Sequence, residues 1–410
     1  MMLNSYRALD LTDDKGYLCG KILADLGMDV IKIEPPTGDP GRKVGPFFQD
    51  IAHPERSLYW FAHNTNKRSI TLNLESAQGR ELFKKLVGTA DIVIESFQPG
   101  YMDSLGLGYS ELSQINAGLI MTSITPFGQT GPYCNYKGSD MVVWAMGGLM
   151  NQSGDADRRP VQVSVPQSFI AASTYAAEGT LIALFARRII GEGQHVDVSG
   201  METVAFLGME AFPFWLILGQ NMGRSGSAIS RMGINAPVIW PCKDGYINYI
   251  LQMGLPGADR NIKMAKWLEE EDLSNDFIRQ TDWHKMDFME LAKGGIERLT
   301  EPLSKLFLTY TRRELFNESL RRDLTLYPVS DSKDTLENEQ LLARGFWVEL
   351  AHPEISQKIT YPGPFAVFSE TPIKMHHRSP LIGEHNEEIY LKEMGFSEDD
   401  MVSMSKAGVI

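Results

Sequence analysis

Short apolar strand patterns alternate with helical ones through the first 130 residues, and this alternation constrains the fold more than any other feature. Arg7-Ala8-Leu9-Asp10-Leu11, Asp29-Val30-Ile31-Lys32-Ile33, Ser69 to Leu74, Ala90 to Phe97 and Leu119 to Ile124 read as five strands. Helical patterns run from Lys15 to Leu26, which stops at Gly27, and from Ser76 to Val87. Such an order predicts a parallel sheet covered by helices on both faces. Ligands of parallel sheets bind outside the carboxyl ends of the strands. Here those ends are Thr12 to Lys15, Glu34 to Arg42, Ser96 to Gly100 and Thr125 to Gly131.

Further along, Ser168 to Arg188 is rich in Ala and free of internal Pro, which predicts a helix. Gly191-Glu192-Gly193 ends it, and His195 to Ser199 alternates as a strand. From about Gly223 the texture changes. Trp240 to Ile250 reads as a hairpin with Asp244-Gly245 as its turn, charged helices follow from Asp259 to about Arg322, and Tyr327 to Pro380 is loop-rich. A chain of 410 residues exceeds the usual reach of one core, so two domains are expected.

A net charge of -13 argues against nucleic acid or an anionic membrane as partner. Cys19, Cys134 and Cys242 are too few and too scattered for a disulfide framework, and no ligand spacing suggests a metal. With no leader and no run of ~18 apolar residues, the expected setting is soluble, reducing and cytoplasmic.

Ordered motifs then span nearly the whole chain. They include Leu9-Asp10-Leu11-Thr12, Leu23-Ala24-Asp25-Leu26-Gly27, Val30 to Pro36, Asn66 to Leu72, Phe97-Gln98-Pro99-Gly100, Phe127 to Tyr133, Gly193 to Val198, Ala343-Arg344-Gly345-Phe346 and Ser379 to His385. In this order and spacing the chain resembles the family III CoA-transferases, the group of the formyl-CoA:oxalate, carnitine and benzylsuccinate CoA-transferases. The resemblance implies an α/β fold. A Rossmann-like large domain would come from residues 1–220 and 326–410, a smaller α+β domain from 221–325, and two chains would interlock as a dimer.

The family's chemistry is covalent: an aspartate carboxylate attacks an acyl-CoA thioester and later carries CoA itself. The resemblance places that aspartate ten residues before Gly179, where this chain has Phe169. A phenyl ring cannot attack a thioester, so no catalytic residue is assigned here. Its expected role is packing, which for a buried Phe contributes ~1.5–3 kcal/mol. Ser168 lacks a basic partner and reads as a helix N-cap. A glycine that makes room in many members is Ser173, and the racemases' histidine is Ser139. Asp140 reads as a cap for a helix from Met141 to Met150.

The pocket for coenzyme A looks degraded as well. The turn after the first strand is acidic, Asp13-Asp14, and Ser104 stands where formyl-CoA transferase has a diphosphate-binding arginine. Arg42, Leu72, Phe97 and Lys137 remain as weak candidate contacts, each with a plainer role: Arg42 and Lys137 as solvated surface charges, Leu72 and Phe97 as core. The chain therefore reads as a non-catalytic subunit of a heteromeric CoA-transferase, similar to the aspartate-less subunit of a succinyl-CoA:(R)-benzylsuccinate CoA-transferase. Its partner would be a paralogous chain carrying the aspartate and holding most of the CoA thioester. The alternatives are an autonomous acyl-CoA lyase or isomerase using another residue, and a scaffold or regulatory protein without activity.

Overall fold

All six expected strands join one parallel sheet. They are β1 (Arg7–Asp10), β2 (Asp29–Glu34), β3 (Arg68–Thr71), β4 (Ile92–Glu95), β5 (Ile120–Thr125) and β6 (His195–Ser199), in the spatial order β3-β2-β1-β4-β5-β6. The structure, a computed structural model, describes residues 2–231, 234–252, 255–286 and 294–410. β1 pairs with both β2 and β4, so the strand order reverses there, which is where doubly wound sheets open a crevice for ligands.

Side-chain alternation assigns each strand residue to one of two cores. Ile92 and Ile94 point to a layer with Leu23 of α1 (Tyr17–Asp25) and with Ala172, Ala176 and Ala177. Val93, between them, points to the opposite layer with Leu9, Ile31, Ile33 and Met121. That layer is closed by Phe83 and Leu86 of the Ala77–Val87 helix and by Tyr390 and Met404 from the chain's end. The C-terminal residues dock by hydrogen bonds as well: Asn73 N–H donates to the Val409 carbonyl at 2.8 Å, and the Tyr390 hydroxyl to the Thr71 carbonyl at 2.8 Å.

The helix expected near Ser168 spans Gln167–Ile190, and Gly191, at φ 80°, ends it in the left-handed conformation that glycine tolerates. Gly193 follows because a Cβ there would lie 1.8 Å from the Leu119 carbonyl oxygen. The helix Gln167–Ile190 reaches the length and mean hydropathy of a membrane-crossing segment, although Ser173, Thr174, Glu178 and Thr180 interrupt its apolar residues. In this fold Ala172, Ala176, Ala177, Ala183 and Leu184 bury its inner face in the sheet layer.

Contacts divide the chain into two units. One comprises Met1–Leu149, Gln162–Glu210 and Glu339–Ile410; the other comprises Met150–Val161 and Ala211–Asn338. The expected boundaries at 220 and 325 compare with changes of unit at 210 and 338. The second unit holds an antiparallel sheet of Ile239–Cys242, Gly245–Tyr249 and Leu326–Pro328. Its core gathers Trp240, Trp267, Phe307 and Leu315. Gly245 pairs with Cys242, so the hairpin loop is Lys243-Asp244, one residue earlier than the Asp244-Gly245 turn read from the sequence. Within the expected charged helices, residues 287–293 lie outside the described residues.

Candidate active site at the strand carboxyl ends

A cavity of about 350 Å³ opens over the carboxyl ends of β1 to β4. Leu11, Ile33, Leu72, Leu74, Phe97 and Tyr101 give it apolar walls, and Asp13, Glu34, Asp39 and Glu75 give it an acidic rim. Among the described residues that line it there is no lysine or arginine.

The cations nearby are spent on the protein's own carboxylates. Arg42 is 1% exposed, so it is no solvated surface charge. Its Nε and Nη2 donate to Glu34 at 2.6 and 2.7 Å, its Nη1 to Glu55 at 2.7 Å, and Nη2 again to the Pro380 carbonyl at 2.9 Å. The guanidinium plane lies 3.9 Å from the Trp60 ring centroid. Four of five donors and one π-face are thus occupied, which leaves little for a phosphate.

Beneath the turn after β1 lies a second buried network. Lys67 Nζ donates to Asp10 at 2.8 Å, to the Tyr17 carbonyl at 2.8 Å and to Asn64 at 2.9 Å, using all three of its protons. Lys32 Nζ bonds the Thr12 carbonyl and pairs with Asp39 at 3.2 Å. Burial alone would raise the Asp10 carboxyl, but Lys67 and Lys32 overcome it and hold the group below its ordinary value. For Asp14 the balance goes the other way: burial and then Asp13 push it up, and Lys15 offsets them only in part. Ser96 Oγ donates to Asp13 at 2.8 Å, tying the turns after β1 and β4 together.

Phe169 is 6% exposed, in the first turn of the Gln167–Ile190 helix. Its backbone N–H donates to Asp140 Oδ1 at 3.0 Å, and Gln162 Nε2 donates to Oδ2 at 3.1 Å. Asp140 therefore caps this helix rather than its own, which runs Asp140–Met146. Ser168 is not the N-cap either. It lies inside the helix, and its hydroxyl donates to the Asp140 carbonyl at 3.1 Å. A carboxylate at a helix N-terminus is favoured by the dipole, and here Asp140 takes that place by accepting from the Phe169 N–H. Ser173 Oγ donates to the Lys15 carbonyl at 2.8 Å, joining the helix to the acidic turn whose Asp13 lines the cavity.

Of the four candidate contacts, Leu72 and Phe97 share the cavity wall, Arg42 is locked below it, and Lys137 is exposed outside its lining. Sequence reading missed Glu34, Glu55 and Trp60 as the partners of Arg42, and Lys32 and Lys67 as interior cations. The signal was present in β2, whose sequence Asp29-Val30-Ile31-Lys32-Ile33-Glu34 puts charges inside a strand buried on both faces. Such charges must be paired.

The comparisons with known proteins agree with this architecture. The model of CoA-transferase family III matches residues 4–386. The chain is 36% identical to the succinyl-CoA:(R)-benzylsuccinate CoA-transferase subunit BbsE of Thauera aromatica, over 99% of this chain and 97% of that one. It is 31% identical to a succinyl-CoA–D-citramalate CoA-transferase of Chloroflexus aurantiacus, over 96% and 94%. A crystal structure of a CAIB/BAIF family protein from Brucella suis superposes with a TM-score of 0.81 at 29% identity, covering 95% of this chain and 98% of the other. The chain belongs to CoA-transferase family III.

Proposed function

We propose that this chain is the non-catalytic subunit of a heteromeric CoA-transferase whose paralogous partner carries the nucleophilic aspartate. One observation carries the reading: Phe169 is buried where the carboxylate would stand, and Asp140 is bound to its backbone N–H. Removing the nucleophile removes the covalent route, because the thioester carbonyl then has no carboxylate to form an anhydride with. Sequestration of Arg42 and the acidic rim support the companion statement that the CoA thioester is held mainly by the partner.

The apolar surfaces support a partner chain. The Gln167–Ile190 helix exposes Ile182, Phe185, Ile189 and Ile190. In the other unit, the helix Ala211–Leu218 exposes Leu216 at 80% and Ile217 at 79%. Apolar surface on this scale marks interaction sites, and burial in an interlocked family III dimer would cover it. The name of the BbsE relative suggests the substrates: succinyl-CoA as donor and benzylsuccinate or a similar aryl-substituted dicarboxylate as acceptor, in a reducing cytoplasm.

The test is expression of this chain alone and together with an aspartate-bearing homologue, followed by CoA exchange from succinyl-CoA to a series of dicarboxylates. Exchange should need both chains, and hydroxylamine trapping should find the acyl group on the partner. Turnover by this chain alone, with an acylated side chain of its own, overturns the proposal. Phe169→Asp by itself should not create activity, since the new carboxylate would face Asp140 and no free cation; robust turnover by this variant would show the pocket to be competent after all.

A further inference from the structure

Arg42 and Arg56 lie on the same stretch between β2 and β3 and end in opposite situations. Arg42 spends its donors on Glu34, Glu55 and the Pro380 carbonyl. Arg56 spends none. Its Nη1 is buried without a hydrogen-bond partner, and among the described residues its side chain forms no ion pair and no ring contact. The other described arginines without such a partner, Arg159, Arg188, Arg313 and Arg344, are exposed, whereas Arg56 is part-buried. Glu55, next to it in sequence, is already engaged: it accepts from Arg42 Nη1 at 2.7 Å and from the Ile382 N–H at 2.9 Å. A buried charged donor without an acceptor costs free energy that a paired one does not.

The backbone that carries Arg56 is fixed. Its N–H donates to the His53 carbonyl at 2.9 Å, closing the short turn Pro54–Arg56, and His53 Nδ1 accepts the Glu55 N–H at 3.1 Å. Ser57 Oγ donates to the Val44 carbonyl at 2.6 Å and accepts the Trp60 N–H at 3.1 Å, while the Leu58 N–H donates to the Pro46 carbonyl at 3.0 Å. Residues 44–58 thus form a loop pinned at its base. The loop exposes Val44 at 42% and Ile51 at 48%. Arg56 lines neither of the cavities beside the strand ends. A guanidinium with unspent donors, on a pinned loop that also exposes apolar side chains, has the composition of an interface anchor. A small-molecule site would be concave.

We propose that Arg56 is a docking residue for the paralogous subunit, and that its guanidinium receives an aspartate or glutamate carboxylate of that chain. The proposal rests on the heteromeric reading above. Charge and shape both select a carboxylate: the guanidinium fork meets its two oxygens with two parallel N–H bonds, where a lysine would offer a single point charge. Such a pair supplies the acceptor that Nη1 lacks within its own chain. Because the loop is already pinned, docking orders little that is not ordered beforehand, and binding then loses less entropy. Val44 and Ile51, exposed on the same loop, give apolar surface that can shield the pair from water. The face presented by the partner is accordingly an acid set among apolar side chains.

The test is a competition during assembly. The unmodified chain and its Arg56→Met variant, carrying different tags, are co-expressed with a limiting amount of the aspartate-bearing homologue, and the ratio of the two tags in the purified heteromer is measured. Methionine keeps the packing of the arginine stem and removes the donors. The unmodified chain should be incorporated in ~10-fold excess or more, and Arg56→Lys should fall between the two. A second measurement uses each form of this chain by itself. Since Nη1 has no partner there, Arg56→Met should leave the thermal unfolding midpoint unchanged. Equal incorporation of the two forms, or a lowered midpoint in the isolated variant, overturns the proposal. Equal uptake sinks this inference alone; if the homologue takes up neither form, the heteromeric reading falls and this inference with it.

Discussion

Two buried carboxylates at the ends of neighbouring strands meet opposite fates. Glu34, at the end of β2, receives two bonds from Arg42, one from the Ser69 hydroxyl at 2.5 Å and one from the Asp39 N–H at 2.9 Å. Glu95, at the end of β4, accepts one backbone N–H, from Phe97 at 2.7 Å, and among the described residues no cation forms a salt bridge with it. The first is compensated in full and belongs to the framework. The second sits near its neutral form and can respond to pH. Burial alone does not decide how a carboxylate behaves; the supply of donors and opposite charge does. The same rule accounts for the cavity, where Arg42 and Lys32 are taken up by Glu34 and Asp39 of its own lining instead of facing a ligand.

The comparison can be broken most forcefully at Glu34. Glu34→Ala strands the Arg42 guanidinium without its bidentate partner, and breaking a buried pair in this way costs ~3–5 kcal/mol. Urea unfolding should show that loss; a change below ~1 kcal/mol would mean that Arg42 relaxes to water and the network is not closed.

Glu95 gives the next effect, and its sign is opposite to that of a salt-bridged acid. Its folded value is about 7 against an ordinary 4.5. Between these values the folded chain keeps a proton that the unfolded chain has released, so stability falls as pH rises through the window and levels off above it. The full drop is on the order of 3 kcal/mol. In Glu95→Gln this decline should disappear, leaving the variant relatively more stable at pH 8 than at pH 5. Parallel stability–pH curves for the two proteins would place the Glu95 value back in the ordinary carboxylate range.

Smaller effects sharpen the contrast. Ser173→Ala removes the bond to the Lys15 carbonyl and should cost ~1 kcal/mol. Smallest is Lys84→Ala on the solvent side of the Ala77–Val87 helix. It breaks an exposed pair with Glu81, an interaction typically worth under ~0.5 kcal/mol, so the unfolding midpoint should barely move.

Much of this was written along the chain. The six strands, the helix through Phe169 and the acidic turn follow from periodicity and from residue type, because a parallel strand buried on both faces can hardly be composed otherwise. That residue 169 carries no carboxylate is equally a matter of sequence, since a phenyl ring lacks that chemistry in any fold. The fate of Arg42 was not legible. Its partners Glu34 and Glu55 and the Pro380 carbonyl come from three separate segments, and only folding decides whether a guanidinium faces a ligand or the protein's own acids. Asp140 is a similar case: its neighbours in sequence suggest a cap for its own helix, while packing gives its carboxylate to a helix that begins 27 residues later. Sequence determined which groups exist and which segments become strands. Tertiary structure decided which charges meet, because electrostatic pairing depends on distances that span the whole chain, and these are fixed only once the sheet has brought the strand ends together.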